Sequence, residues 1–191
     1  EANPEKCIEI EQLLKRMGIR FRLGSRETQY YLTSSDIPQE ARLLLDSLGD
    51  AKVKKIPRHY LNCSQDLLEC LFESLIKGDG HVIPPRENSF RKKDSFGYAT
   101  ISKQLADDVQ ELAHKIGFNA SIRTRGRSPG GEIKGRKIVG RNDIFEVSIG
   151  IKKRIKVGQL KREIVPYNDF VYCVTTPYHT LLVRRNGKVC F

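Results

Sequence analysis

The sequence predicts an α+β fold, and three observations carry that prediction. Segments with a helical apolar period alternate with short runs rich in β-branched and aromatic residues. A helix–glycine–strand block occurs twice. The tail from Arg154 to Phe191 has no helical period and reads as β.

Taken in order, Glu5 to Met17 reads as a helix with Ile10, Leu13, Leu14 and Met17 on one face, and Gly18 is placed to end it. Two strand-like pieces follow, IRFRL (19–23) and TQYYLT (28–33), split by a turn at Gly24-Ser25. Ser35 or Asp36 caps a second helix with Pro38 in its first turn and Leu44, Leu45 and Leu48 on its buried side; Gly49 stops it. A third helix runs from Gln65 to Lys77 behind Ser64, with Leu67, Leu68, Leu71, Phe72, Leu75 and Ile76 as its apolar set. A polar-to-basic stretch of strand character leads to YATIS (98–102). A fourth helix, Lys103 to Ile116, keeps Leu105, Val109, Leu112 and Ile116 in step and ends at Gly117. Strands at 118–125 and 143–150 bracket RGRSPGGEIKGRKIVGR, which reads as a long hairpin loop.

The repeated block is EQLLKRMGIRFRL (11–23) and QELAHKIGFNASI (110–122), with Gly18 and Gly117 offset by 99 residues. That spacing fits a duplicated domain rather than a solenoid unit. The second copy has its own preceding helix and strand region, for which the first has no room after Glu1. A truncated first repeat followed by a complete second one is expected.

Composition narrows the function. With 39% apolar and 30% charged residues among 191, the chain is neither collagenous nor low-complexity. Its longest apolar runs are a few residues, too short to span a membrane, and no signal-peptide pattern opens it. Cys7, Cys63, Cys70, Cys173 and Cys190 form no C-x-x-C pair, which argues against a disulfide framework or structural zinc. An intracellular location, nucleus or cytoplasm, is expected. Thirty-four Lys and Arg against 23 Asp and Glu give +11, and the stretch Val82–Lys156 holds 17 basic and 8 acidic residues, +9 by itself. Such a field attracts phosphate backbones. A solvated basic surface without a partner is the plainer alternative.

The strongest chemical signal is LFESLIKGDGH (71–81). Helix C-termini carry partial negative charge, so Asp79 there is misplaced unless a cation compensates. Ser74 and Gly78, four apart, let another backbone approach. A carboxylate so presented suits Mg²⁺ held between two acids; Asp-Gly is also a common turn.

FESLIKGDG (72–80) resembles the LAGLIDADG motif of homing endonucleases. Leu75, Ile76, Asp79 and Gly80 match its letters, Ser74 and Gly78 supply its small positions, and Lys77 departs from its first Asp. KKIPRHYLNCS (54–64) resembles the K-x-I-P lead-in found in endonucleases embedded in inteins, and 98–122 resembles the second half of such a repeat. The resemblance implies αββαββ repeats, a saddle of antiparallel strands on duplex DNA, and two motif helices forming the seam. It implies Mg²⁺ or Mn²⁺ at Asp79 and Gly78, and Lys54 as a catalytic lysine with Lys153 as its counterpart. DNA readers on the strands and loops would be Arg86, Asn88, Arg91, Lys92, Lys93, Arg123, Arg125, Arg127, Arg136, Lys137 and Arg141. His81 is either structural or a DNA contact. His114 reads as a helix-surface residue.

VYCVTTPYHTLLVRRNGKVCF (171–191) resembles the C-terminal splicing block of inteins, a Hint-type β segment. His179 takes the position of the histidine that assists Asn cyclisation, and Cys173 stands where an Asp is common. By itself the segment also reads as a hairpin turning at Asn186-Gly187. The organisation implied is 1–57, the C-terminal part of a first repeat; 58–156, a complete second repeat; and 157–191, the splicing segment. The implied activity is double-strand cleavage of a long specific DNA site, with the missing N-terminal part of the intein as partner. A non-cleaving module, regulator or maturase-like, is the alternative.

Overall fold

The computed structural model describes residues 4–25, 29–33, 35–85, 94–127, 130–133, 135–151, 163–178 and 181–190. It divides into two units, Glu1–Gly49 and Asp50–Phe191.

The first unit holds helix α1 (Pro4–Arg16), strands β1 (Arg22–Leu23) and β2 (Tyr30–Tyr31), and helix α2 (Gln39–Leu48). β1 and β2 pair antiparallel, Arg22 opposite Tyr31. Of the apolar residues read on one face of the first helix, Ile10, Leu13 and Met17, the last just beyond the end of α1, are exposed. The half-buried positions are Cys7, Glu11 and Leu14, because the Tyr30 hydroxyl reaches the Cys7 carbonyl at 3.1 Å and Glu11 at 3.4 Å. Pro38 itself is the N-cap of α2. Asp36 serves the preceding turn instead, accepting from the Thr33 hydroxyl at 2.6 Å and N–H at 3.0 Å. Those bonds hold its carboxyl below the usual range. Leu44 and Leu48 are half-buried while Leu45 faces out.

The second unit begins with a short helix, α3 (Arg58–Leu61), followed by α4 (Gln65–Gly78), β3 (Gly80–Ile83), β4 (Ser95–Thr100), α5 (Lys103–Lys115) and β5 (Asn119–Arg125). A small hairpin, β6 (Gly131–Ile133) and β7 (Arg136–Ile138), occupies the connection to β8 (Ile144–Gly150), and β9 (Val183–Arg185) pairs with β10 (Lys188–Cys190). The central sheet runs β3-β4-β8-β5, antiparallel throughout. From α4 onward the order is αββαββ with the small hairpin inserted, an α+β arrangement.

Alternation along the strands sorts the sheet into two faces. One face packs on the helices. Leu68, Phe72 and Ile76, spaced by four on α4, join Leu105, Val109 and Leu112 of α5 against Tyr98, Ile122, Val147 and Ile149. Phe72, Phe96 and Phe118 close a triangle with ring centroids 5.4–5.6 Å apart. Each large apolar side chain so buried contributes about 1.5–3 kcal/mol. The opposite face carries His81, Gly97, Ala99, Ser121, Arg123, Arg125, Glu146 and Ser148, as the cross-strand register places them.

The two halves of the repeated block end their helices identically. At the first, the N–H of Gly18 bonds Lys15 O and that of Ile19 bonds Leu14 O; at the second, Gly117 bonds His114 O and Phe118 bonds Ala113 O. Both glycines have positive φ, +67° and +86°, the left-handed conformation this helix terminus needs.

In the tail, the described residues 163–178 contain no strand. The β reading holds for the β9–β10 hairpin, whose turn residues Asn186 and Gly187 both have positive φ, 52° and 71°, as a two-residue hairpin loop requires. The hairpin seats on the edge strand. Gly187 O accepts from Ile122 N at 2.9 Å and from Gln110 Nε2 at 2.9 Å, and Arg184 pairs with Asp107 at 3.3 Å.

Candidate nucleic-acid interface

Asp79 is the residue at which α4 ends. Its backbone N–H still bonds Leu75 O at 3.1 Å, and its carboxylate is exposed. Gly80 then lets the chain reverse into β3, since a Cβ there would lie 2.7 Å from Ile76 Cα. The turn from helix to strand is tight for that reason. Tyr98, opposite Gly80 in the sheet, is buried beneath this end; burial first, then the Asp79 charge, push its phenol pKa up.

Lys54 is exposed, and its backbone is fixed. Its carbonyl accepts from the Ser102 hydroxyl at 2.6 Å, and that hydroxyl oxygen in turn accepts from Leu105 N at 3.2 Å as the N-cap of α5. Two residues on, Ile56 N donates to the buried Asp108 carboxylate at 2.8 Å, which also takes Gln104 Nε2 at 2.8 Å. Ser102 follows the end of β4, and β3 begins beside Asp79 opposite that end. The anchored Lys54 backbone and Asp79 therefore share one end of the sheet. The sequence reading did not find Asp108 or Ser102. The available signal was a carboxylate at 108, a core-facing spacing between Leu105 and Leu112.

Of the expected DNA readers, Arg123 and Arg125 lie on β5, on the helix-free face, both exposed. Arg125 meets Glu146 at 3.3 Å, a surface pair of small energetic weight. Arg127 follows β5, Lys137 lies on β7 and Arg141 precedes β8; all three are exposed, and Arg136 is on β7 as well. Gly78 is the last residue of α4 and a Cβ on it would touch nothing within 4 Å. Arg86, Asn88, Arg91, Lys92, Lys93, Lys153 and His179 lie outside the described residues. Cys173 is an exposed free thiol in the strand-free stretch.

His114, expected on the helix surface, is half-buried with its Nε2 enclosed and without a hydrogen-bond partner. Burial drives its pKa down, with the Arg184 charge acting in the same direction and the Ala120 backbone against it. It lines a cavity of about 390 Å³ between α5 and the C-terminal hairpin, with Glu111, Lys115 and Arg184 among its walls.

Among the described residues, no three His, Cys, Asp or Glu side chains gather as a metal site. No helix among them is long and apolar enough to cross a membrane.

Comparison with known proteins agrees with the acidic helix and the sheet. A family described as the LAGLIDADG-like domain matches residues 66–150, from the start of α4 to the end of β8. A DNA-directed RNA polymerase subunit beta C-terminal section from Stigeoclonium helveticum is 31% identical over 99 residues, 47% of this chain and 9% of that protein. A ribonucleoside-diphosphate reductase subunit beta from Aquifex aeolicus is 29% identical over 119 residues, 62% of this chain and 15% of that protein. The chain thus spans a small part of either relative. The similarity to the LAGLIDADG-like domain covers residues 66–150 and supports that family for this segment.

Proposed function

We propose that the chain is part of an intein-borne LAGLIDADG endonuclease that makes metal-dependent double-strand cuts in a long DNA site and retains a protein-splicing segment. The carrying observation is Asp79, an exposed carboxylate at the C-terminal end of α4, where the open sheet face begins. Duplex DNA lies along that face, held by Arg123, Arg125, the polar Asn88 and the basic residues of the connecting segments, Arg86, Arg91, Lys92, Lys93, Arg127, Arg136, Lys137 and Arg141. The stretch Val82–Lys156, with 17 basic and 8 acidic residues, supplies the field.

Mg²⁺ or Mn²⁺ is commonly held by one or two carboxylates together with substrate phosphates. Asp79 and the Gly78 carbonyl at the helix end fit half of such a site. When bound, the cation polarises the phosphate and activates water. Lys54 brings fixed positive charge to the same end of the sheet, which favours the charge that builds in the transition state. Lys153 is its counterpart. The second acid comes from a second motif helix. The α4 face formed by Leu67, Leu71, Ser74 and Gly78 suits it: Leu67 is 60% exposed, and the Ser74 hydroxyl is satisfied by Cys70 O at 2.8 Å.

Two relatives with unrelated printed names each match over a small share of their length. An element inserted in different host genes produces that pattern, which supports the intein reading. The splicing role rests on His179 and Cys173 in the 157–191 segment, after the partial repeat at 1–57 and the complete one at 58–156. A non-cleaving DNA-binding module is the second reading, favoured by Lys77 standing where the motif has its first acid.

Incubation with supercoiled plasmid and Mn²⁺, with the N-terminal repeat supplied, tests the assignment. Cutting abolished by Asp79→Asn at unchanged duplex affinity supports it. Cutting that survives the substitution overturns it, and binding without cutting by the parent selects the second reading.

A further inference from the structure

The open sheet face contains a glycine that is buried. Gly97 sits mid-strand on β4 with no helix over it, yet it is buried, and what covers it is the imidazole of His81, its direct partner on β3. A Cβ built on Gly97 would clash with the edge of the ring, 2.2 Å from Cε1 and 2.4 Å from Nε2. The glycine is therefore the seat of the ring, whose Cε1–Nε2 edge occupies the place a side chain at 97 would take. Beyond Gly97 in the same transverse row come Ser148 on β8 and Ser121 on β5. All three residues are small, so the row forms a shallow floor at which a broad ligand can approach His81.

His81 itself is exposed. Among the described residues its ring nitrogens make no hydrogen bond or ion pair that would explain their placement. A glycine has been set aside to hold a polar ring on a ligand-facing surface two residues after Asp79. From that geometry, and resting on the DNA-binding reading above, we infer that His81 is a DNA-contact residue. Its ring N–H donates to a backbone phosphate oxygen of the bound duplex beside the cleavage position, and Gly97 is the residue that positions it. A phosphate contact carries no sequence information, so any duplex reports on it.

The test is binding of the whole chain to a random-sequence duplex of about thirty base pairs at low salt, read by fluorescence anisotropy. A hydrogen bond to a charged oxygen predicts that His81→Ala weakens binding roughly tenfold or more. Gly97→Ala should cost nearly as much with the histidine present, because a methyl group lifts the ring. In the double variant the second substitution should add little. His81→Gln, which keeps an N–H donor, should retain most of the affinity. Unchanged binding by His81→Ala, with parent-like melting, overturns the inference while leaving the DNA-binding reading intact. Additive losses from the two substitutions overturn the seating role of Gly97. No duplex binding by the parent overturns the reading on which both rest.

Discussion

The N–H of Ile56 donates to the carboxylate of Asp108 at 2.8 Å, across 52 residues of sequence. Asp108 is 2% exposed, so this bond, with that of Gln104, is what makes a buried charge tolerable. It fastens the segment bearing Lys54 to α5. Removing the acceptor leaves a buried N–H unsatisfied, at about 2–3 kcal/mol. Asp108→Ala should therefore lower the melting temperature by roughly 5–10 °C, while Asp108→Asn, which keeps an oxygen, should lose less. Equal melting of the parent and the Ala variant would show that the lead-in is held by other contacts.

Lys54 extends from that anchored backbone into solvent. If its charge acts on the reacting phosphate, Lys54→Ala slows single-turnover cleavage far more than it weakens binding, because the interaction strengthens only in the transition state. A parallel loss in both would make it an ordinary phosphate contact.

Gly187 is at φ +71°, and a Cβ on it would stand 2.6 Å from Ile122 O. Gly187→Val should unseat the hairpin and destabilise the second unit by about 1–3 kcal/mol through backbone strain alone. Asn186→Gly, at the neighbouring turn position, should melt within a degree or two of the parent. Thermal denaturation of the two variants side by side checks this.

His114 gives a pH signature. Its folded pKa is depressed by burial, so above the ordinary histidine value of about 6.5 both states are neutral and its contribution is full. As pH falls below that value the unfolded chain takes up a proton first, and stability is lost. The slope of melting temperature between about pH 7 and pH 5 should flatten in His114→Gln. An unchanged slope would mean that the imidazole titrates normally in the fold.

Much of this architecture was legible in the sequence, where period and glycine agree. The α4 and α5 spans, the Gly18 and Gly117 terminators and the Asn186-Gly187 turn all follow from local rules. The LAGLIDADG-like match covers the segment that the acidic helix pointed to. Local rules failed where a distant partner decides. The face of α1 is set by the Tyr30 hydroxyl rather than by its apolar stripe. Asp36 turned from helix capping to Thr33, and His114 was drawn under the C-terminal hairpin. Asp108 is similar: its core-facing spacing on the helix went unread, and only the fold shows that its carboxylate holds Ile56.

On the proposed reading, the open face of the β3-β4-β8-β5 sheet binds duplex DNA through its basic side chains. Duplex affinity measured across a salt series tests it most directly. Affinity should fall steeply and log-linearly with salt, and Arg123→Ala should reduce that slope by about one. Salt-independent binding, or an Arg123→Ala slope equal to that of the parent, would contradict the assignment of this face.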